Sequence, residues 1–303
     1  TSEYFNVNVN GADVEIISEA SIEGLQYYLS GTTTNGSFSL ESDMPYEVIL
    51  NNTEITSLTN VPLNLSKNVE RNIIIANGTT NILSDSEDSD GKAVINSKGA
   101  TNISGFGSLT INANKKHGIS SDNDININGA TISINHSADA SKGLKSDCNI
   151  MITDGDVNIV SSGTLTLEAL DLGYDATYCT SIGADGNFEM RGGKLNITLP
   201  VSNEAGRGIK TDGDISISGG EINIVSHSGG DTYTNSDGEI DSYKSSCIKA
   251  DGDIHLSSGV ITLEATGDAG KCVNADGAIY IGIENSDNDL VLDMKTTSSD
   301  CKP

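Results

Sequence analysis

The apolar positions of this chain come in period-two pairs, not in helical arcs. From Gly208 to Val225 the sequence GIKTDGDISISGGEINIV places Ile209, an outward Lys210, the triplet Asp212-Gly213-Asp214, the pair Ile215/Ile217, two glycines and the pair Ile222/Ile224. Short strict alternation of this kind predicts strands with one buried face. The unit recurs as GISSDNDININGATISI from Gly118, GLKSDCNIMITDGDVNIV from Gly143, CIKADGDIHLSSGVITL from Cys247 and CVNADGAIYI from Cys272, with a looser copy, SIGADGNFEMRGGKLNI, from Ser181. Its anchoring aspartates, Asp122, Asp147, Asp185, Asp212, Asp251 and Asp276, are spaced by 25, 38, 27, 39 and 25 residues, and the two long intervals contain insertions.

Aligned on those aspartates, the apolar residues form columns. Ile119, Leu144, Ile182, Ile209, Ile248 and Val273 stand three positions before the anchor, and Ile125, Ile150, Phe188, Ile215, Ile254 and Ile279 three after it. A repeat that cannot bury its apolar face alone must stack on its neighbours, at a strand separation of about 4.8 Å. Glycines between the second and third strands, Gly129, Gly155, Gly192, Gly193, Gly219, Gly220 and Gly259, are expected at positive φ. No stretch shows capped helical periodicity. The expected fold is all-β, a parallel β-helix of about eight or nine coils over residues 46–303, with residues 1–45 as an N-terminal β cap covering its open end.

Charge narrows the partners. With 17 basic and 43 acidic side chains the formal net charge is −26, which argues against nucleic acid and anionic lipid surfaces. No run of eighteen apolar residues exists, so membrane insertion is not expected. A chain starting at Thr1 without Met looks trimmed, and an extracellular or cell-surface location, with a leader or anchor removed, is the expectation. The four histidines show no ligand or triad spacing, and no phosphate loop or nucleophile elbow is present.

The outward columns carry the candidate chemistry. Two residues before each anchor stand Ser120, Lys145, Gly183, Lys210, Lys249 and Asn274; five before it, His117, Lys142, Thr180, Arg207, Ser246 and Lys271; two after it, Asp124, Asn149, Asn187, Asp214, Asp253 and Ala278. Stacked carboxylates about 5 Å apart repel by about 3 kcal/mol per pair at an effective dielectric of 20. Either the lysines or a divalent cation bridging two coils must offset this, and Ca²⁺, with its six to eight oxygen ligands, is the expected cofactor. The alternative is that each Asp is a turn former capping its own backbone. The candidate metal ligands are Asp147, Asp171, Asp175, Asp185, Asp212, Asp214, Asp251 and Asp253.

Both insertions leave the coil after its third strand and are expected to wall a groove over the coils of Asp185, Asp212 and Asp251. They contribute Tyr174, Tyr178, Tyr233 and Tyr243, which with Lys210 and Lys249 are the candidate ligand-binding residues. Cys247 and Cys272 share one column and should be neighbours on adjacent coils, as buried thiols or as a disulfide.

The GIKxDGDIxIxGGxIxI units, preceded by NIIIANGTTNILSD from Asn72 to Asp85, resemble a family of secreted, calcium-bearing, right-handed parallel β-helix carbohydrate-binding proteins related in shape to pectate lyases. The resemblance covers roughly residues 47 to 283. It implies non-catalytic binding of cell-wall polysaccharide, acidic pectic chains or cellulose, by a protein expected to act as a monomer. The alternative is a calcium-dependent polysaccharide lyase working by β-elimination, for which Lys210, Lys249 and Arg207 are the candidate bases. A third reading is an adhesin or structural rod.

Overall fold

The structure, a computed structural model, describes residues 4–282 and 289–297, and every regular element among them is a strand. Two long sheets run the length of the molecule. In the first, Phe5–Asn10 is antiparallel to Asp13–Ser18, and from there each strand is parallel to the next: Ser37–Ser42, Leu63–Ser66, Ala93–Ser97, His117–Ser121, Lys142–Ser146, Thr180–Ala184, Arg207–Thr211, Ser246–Ala250 and Lys271–Ala275. The second stacks the remaining strands of each coil from Leu25–Thr33 through Thr101–Ala113, Ile125–His136, Ile150–Ser161 and Ile215–Ser226 to Ile254–Ala265. This all-β arrangement of long parallel sheets is solenoid-like, as the repeat requires.

Parallel pairing reaches further toward the N terminus than residue 46. Asp13–Ser18 pairs with Ser37–Ser42, and Leu25–Thr33 with Tyr46–Thr56, both in parallel. Most of the expected cap is therefore continuous with the array, and only Phe5–Asn10 turns back on it. The sequence hides this because these strands lack the Asp-Gly-Asp triplet.

The apolar columns are realised in register. Ile125, Ile150, Phe188, Ile215 and Ile254 lie opposite one another in turn, as do Ile132, Val157, Leu195, Ile222 and Ile261. Each is at most 1% exposed. A one-residue slip would turn every one of them to solvent, so burial of about 2 kcal/mol per side chain pins the register. Between the two segments of a coil the chain bends at Gly129, Gly155, Gly193, Gly220 and Gly259, with φ of 104°, 108°, 76°, 83° and 104°. Gly192 and Gly219, expected at positive φ, are held instead by close approach: a Cβ there would lie 2.5 Å from the Thr153 carbonyl oxygen or 2.3 Å from that of Arg191.

Two large polar side chains are buried within the array. Arg71 is wholly buried, donating to the carbonyls of Leu65, Lys67 and Val69 and to Ser97 Oγ at 2.6 to 2.8 Å, and lies 5.5 Å from the Tyr46 ring centre. His136, 1% exposed, sits 2.6 Å from both Ser141 Oγ and Ser161 Oγ. Cys179 Sγ is 3.8 Å from its Nδ1, but burial holds that thiol up at about 11 and solvent does not reach it, so the pair is structural and not nucleophilic.

Burial pushes the His136 imidazole down to about 3. An unfolded histidine takes up a proton near pH 6.5. Between those values the unfolded state holds the extra proton, so stability falls with falling pH by up to about 1.4 kcal/mol per pH unit from this residue. Urea unfolding at pH 7 and 4.5 is expected to show a loss in the wild type that is about 2 kcal/mol smaller in His136→Gln.

Candidate functional site

Three outward columns meet at the corner that follows each strand of the first sheet, and their chemistry explains the Asp-Gly-Asp triplet. The anchoring aspartates face the lysine column. Lys145 pairs with Asp147, Lys210 with Asp212 and with Asp251 at 2.9 Å, and Lys249 with Asp251 at 3.0 Å and Asp276 at 2.7 Å. Burial alone would raise the Asp251 carboxyl, but its hydrogen bonds from Lys210 and Lys249 outweigh that and the net shift is downward. The second acidic column faces the backbone. Asp124, Asn149, Asn187, Asp214 and Asp253 each accept, through Oδ1, the amide of the next coil's corner residue at 2.7 to 3.0 Å. Where the middle residue is glycine the approach is close: a Cβ on Gly213 or Gly252 would sit 2.2 Å from Asn187 Oδ1 or Asp214 Oδ1.

The lysine column breaks once in this run. Gly183 stands opposite Lys145 on one side and Lys210 on the other, so Asp185 receives no lysine of its own. Lys142 leans across instead: a Cβ on Gly183 would lie 2.7 Å from its Cδ and 3.3 Å from its Nζ. Among the described residues neither Lys142 nor Asp185 forms an ion pair. Burial lowers the Lys142 ammonium, and repulsion from Lys145 and Lys210 partly offsets attraction to Asp185 and Asp212. The break opens a recess of about 240 Å³ lined by Lys142, Tyr178, Thr180, Asp185, Arg207 and Asp212, with Lys210 at its edge. Arg207 is held there by Tyr178, its guanidinium carbon 3.3 Å from the ring centre, and burial lowers it.

The insertions form two-stranded antiparallel hairpins, Thr166–Ala169 with Tyr174–Thr177 and Asp231–Thr234 with Ile240–Tyr243. They are not separate groove walls. Tyr174 bridges to Asn235, and a Cβ on Gly173 would lie 2.0 Å from the Asn235 carbonyl oxygen, so the two hairpins meet edge to edge. The expected ligand-binding residues are thereby divided. Tyr178 and Lys210 line the recess. Tyr233 and Tyr243 pair with each other at 6.0 Å, Tyr174 is 43% exposed outside it, and Lys249 is committed to its two aspartates. Tyr243 lines a second trough of about 460 Å³ with Glu204, His227, Asp231 and Asp268. Lys142, Thr180 and Gly183 were not singled out from the sequence; the one glycine in a column of lysines and polar residues was the available signal.

With the site in place, the chain can be set beside known proteins. A family model described as carbohydrate-binding domain-containing protein matches residues 10–287. The chain belongs to that family. A relative of the same description from Acetivibrio thermocellus is 29% identical over 141 residues, which is 42% of this chain and 49% of that protein, so the match spans about half the curated relative's length. The solved structure of the polysaccharide lyase-like protein from C. thermocellum, a gadolinium derivative, aligns over 96% of this chain and 94% of that one with a TM-score of 0.58 and 19% identity, a likeness of fold.

For this family member the carboxylates do not fit a resident calcium ion. Asp147, Asp212 and Asp251 are taken by lysines, and Asp214 and Asp253 by backbone amides. Asp171 and Asp175 are exposed on the first hairpin, and Asp185 faces Lys142 across the recess. Among the described residues no three His, Cys, Asp or Glu side chains converge as a metal cluster. The repulsion anticipated from stacked carboxylates is offset by the lysine ladder and by the amides.

Two substitutions separate the readings. Asp214→Asn keeps an acceptor Oδ1 and is expected to leave the melting temperature within about 1 °C, whereas Asp214→Ala frees the Asp253 amide and should cost about 1 to 2 kcal/mol. EDTA is expected to shift neither protein's melting temperature. A calcium ligand would instead be sensitive to the loss of charge in Asp214→Asn and to the chelator.

Proposed function

We propose that the protein binds, without cleaving, a cell-wall polysaccharide carrying uronate carboxylates, and that the recess at Gly183 holds one sugar of the chain. The observation that carries this reading is the Lys142 ammonium, partly buried and without an ion pair, beside an Arg207 guanidinium clamped by Tyr178. On a surface of net charge −26 an unneutralised cationic recess is anomalous unless an anion completes it. A carboxylate entering it meets both cations, and charge-assisted hydrogen bonds of this kind are about twice as strong as neutral ones. Thr180 and Asp185 remain for the sugar hydroxyls. A neutral cellulosic chain would offer Lys142 no ion pair, leaving it only Asp185 facing it across the recess, so the uronate is favoured over cellulose. Such a role places the protein at or beyond the cell surface.

Membership in a carbohydrate-binding family supports the sugar, and the ladder speaks against lyase chemistry by the anticipated bases. Lys210 and Lys249 are each engaged in ion pairs with two aspartates, Asp212 and Asp251 for the first and Asp251 and Asp276 for the second. Arg207, the third, stays protonated at any working pH.

Retention on immobilised polygalacturonate is expected in the wild type, to weaken with salt, and to fall at least tenfold in Lys142→Met with the fold intact. Equal retention of Lys142→Met, or retention on cellulose alone, would overturn the assignment. Growth of ultraviolet absorbance from unsaturated uronide would show cleavage and replace binding with the lyase reading.

A further inference from the structure

At the far end of the array a pair of cysteines is arranged for chemistry that sugar binding does not use. Ser246 opposes Lys271 and Ile248 opposes Val273, so Cys247 and Cys272 face each other on adjacent coils. In-register neighbours in a sheet have Cα atoms about 4.8 Å apart, inside the range a disulfide spans. In the four preceding coils this column holds Gly118, Gly143, Ser181 and Gly208; a Cβ on Gly143 would sit 2.6 Å from the Ser181 carbonyl oxygen and one on Gly208 2.4 Å from that of Cys247. The two thiols therefore occupy positions where most coils tolerate no side chain.

Their sulfurs also converge. Cys247 Sγ lies 3.5 Å from the Glu264 carbonyl and Cys272 Sγ 3.5 Å from the Leu263 carbonyl, consecutive residues of one strand. Each thiol also shifts the other's protonation, Cys272 downward and Cys247 upward. Cys247 is fully buried, whereas Cys272 is half-buried and also contacts the Lys295 carbonyl at 3.3 Å. We propose that Cys272 and Cys247 are a thiol oxidation site, closing an inter-coil disulfide that staples strand Lys271–Ala275 to strand Ser246–Ala250.

The interaction between the neighbouring thiols draws Cys272 down to about 7 and, together with burial, holds the Cys247 proton on, so Cys272, the more exposed of the two, is the attacking thiolate and Cys247 the resolving thiol. Cys272 displaces one thiolate from a low-molecular-weight disulfide such as oxidised glutathione, forming a mixed disulfide. Cys247 then gives up its proton, attacks the Cys272 sulfur and expels the second thiol. The two protein thiols lose two protons and two electrons, and the small disulfide is reduced to two thiols. The last coil is where a staple matters: Ile279 and Ile281, buried-column residues elsewhere, are 45% and 57% exposed there.

The test uses the full chain, wild type and Cys301→Ser, since Cys301 lies outside the described residues. After treatment with oxidised glutathione, peptide mapping is expected to recover a Cys247–Cys272 linkage with Cys148 and Cys179 still free. Amide exchange over residues 271–282 should slow at least fivefold and recover on reduction. In Cys247→Ser, the mixed disulfide should persist on Cys272. A linkage to another cysteine, faster reaction at Cys148, or unchanged exchange after linkage would overturn the proposal.

Discussion

Stacking coils in register at about 4.8 Å is the constraint from which the rest follows. It buries the isoleucine columns, and by the same geometry it sets every outward residue beside the corresponding residue of the next coil. For isoleucine that repetition is favourable. For aspartate it is not, and the Asp-Gly-Asp triplet is the local solution: one carboxylate meets lysines, the other accepts the next coil's amide, and the glycine makes room for that acceptor. Three residues that look like a cation motif thus each have a protein partner or a steric reason in the stack.

A ladder of this kind makes its own defects informative. Where Gly183 interrupts the lysines, the neighbouring charges do not close ranks; Lys142 leans over the gap but finds no partner, and Arg207 is fixed by Tyr178 instead of a carboxylate. The first hairpin roofs this place through Ala176, Thr177 and Tyr178, while its contact with the second hairpin at Tyr174 and Asn235 braces that roof. The recess is thereby built from three successive coils, those of Lys142, Thr180 and Arg207.

The buried half of the molecule was legible because period-two pairs and a period near 25 leave little freedom: Ile125, Ile150, Phe188, Ile215 and Ile254 stack as their columns require. The outward half was less so. Sequence shows that Asp212 and Asp251 stack, but not that Lys210 reaches both. It shows tyrosines in both insertions, but not that Tyr233 and Tyr243 would spend themselves on each other. Strand Asp13–Ser18 joins the parallel sheet without carrying the triplet, so the array extends further toward the N terminus than the repeat discloses. Side-chain partners across coils depend on rotamer and reach, which spacing does not encode.

The central claim is that an interrupted charge ladder creates the binding recess, and Gly183→Lys tests it most directly. The substitution restores the column, its Cβ meeting the flexible end of the Lys142 side chain, Cδ at 2.7 Å, Cε at 3.0 Å and Nζ at 3.3 Å, and offers Asp185 the lysine that its neighbours have. The account predicts a melting temperature within about 2 °C of the wild type and loss of polygalacturonate retention. A stable Gly183→Lys protein that still binds polygalacturonate as the wild type does would contradict it.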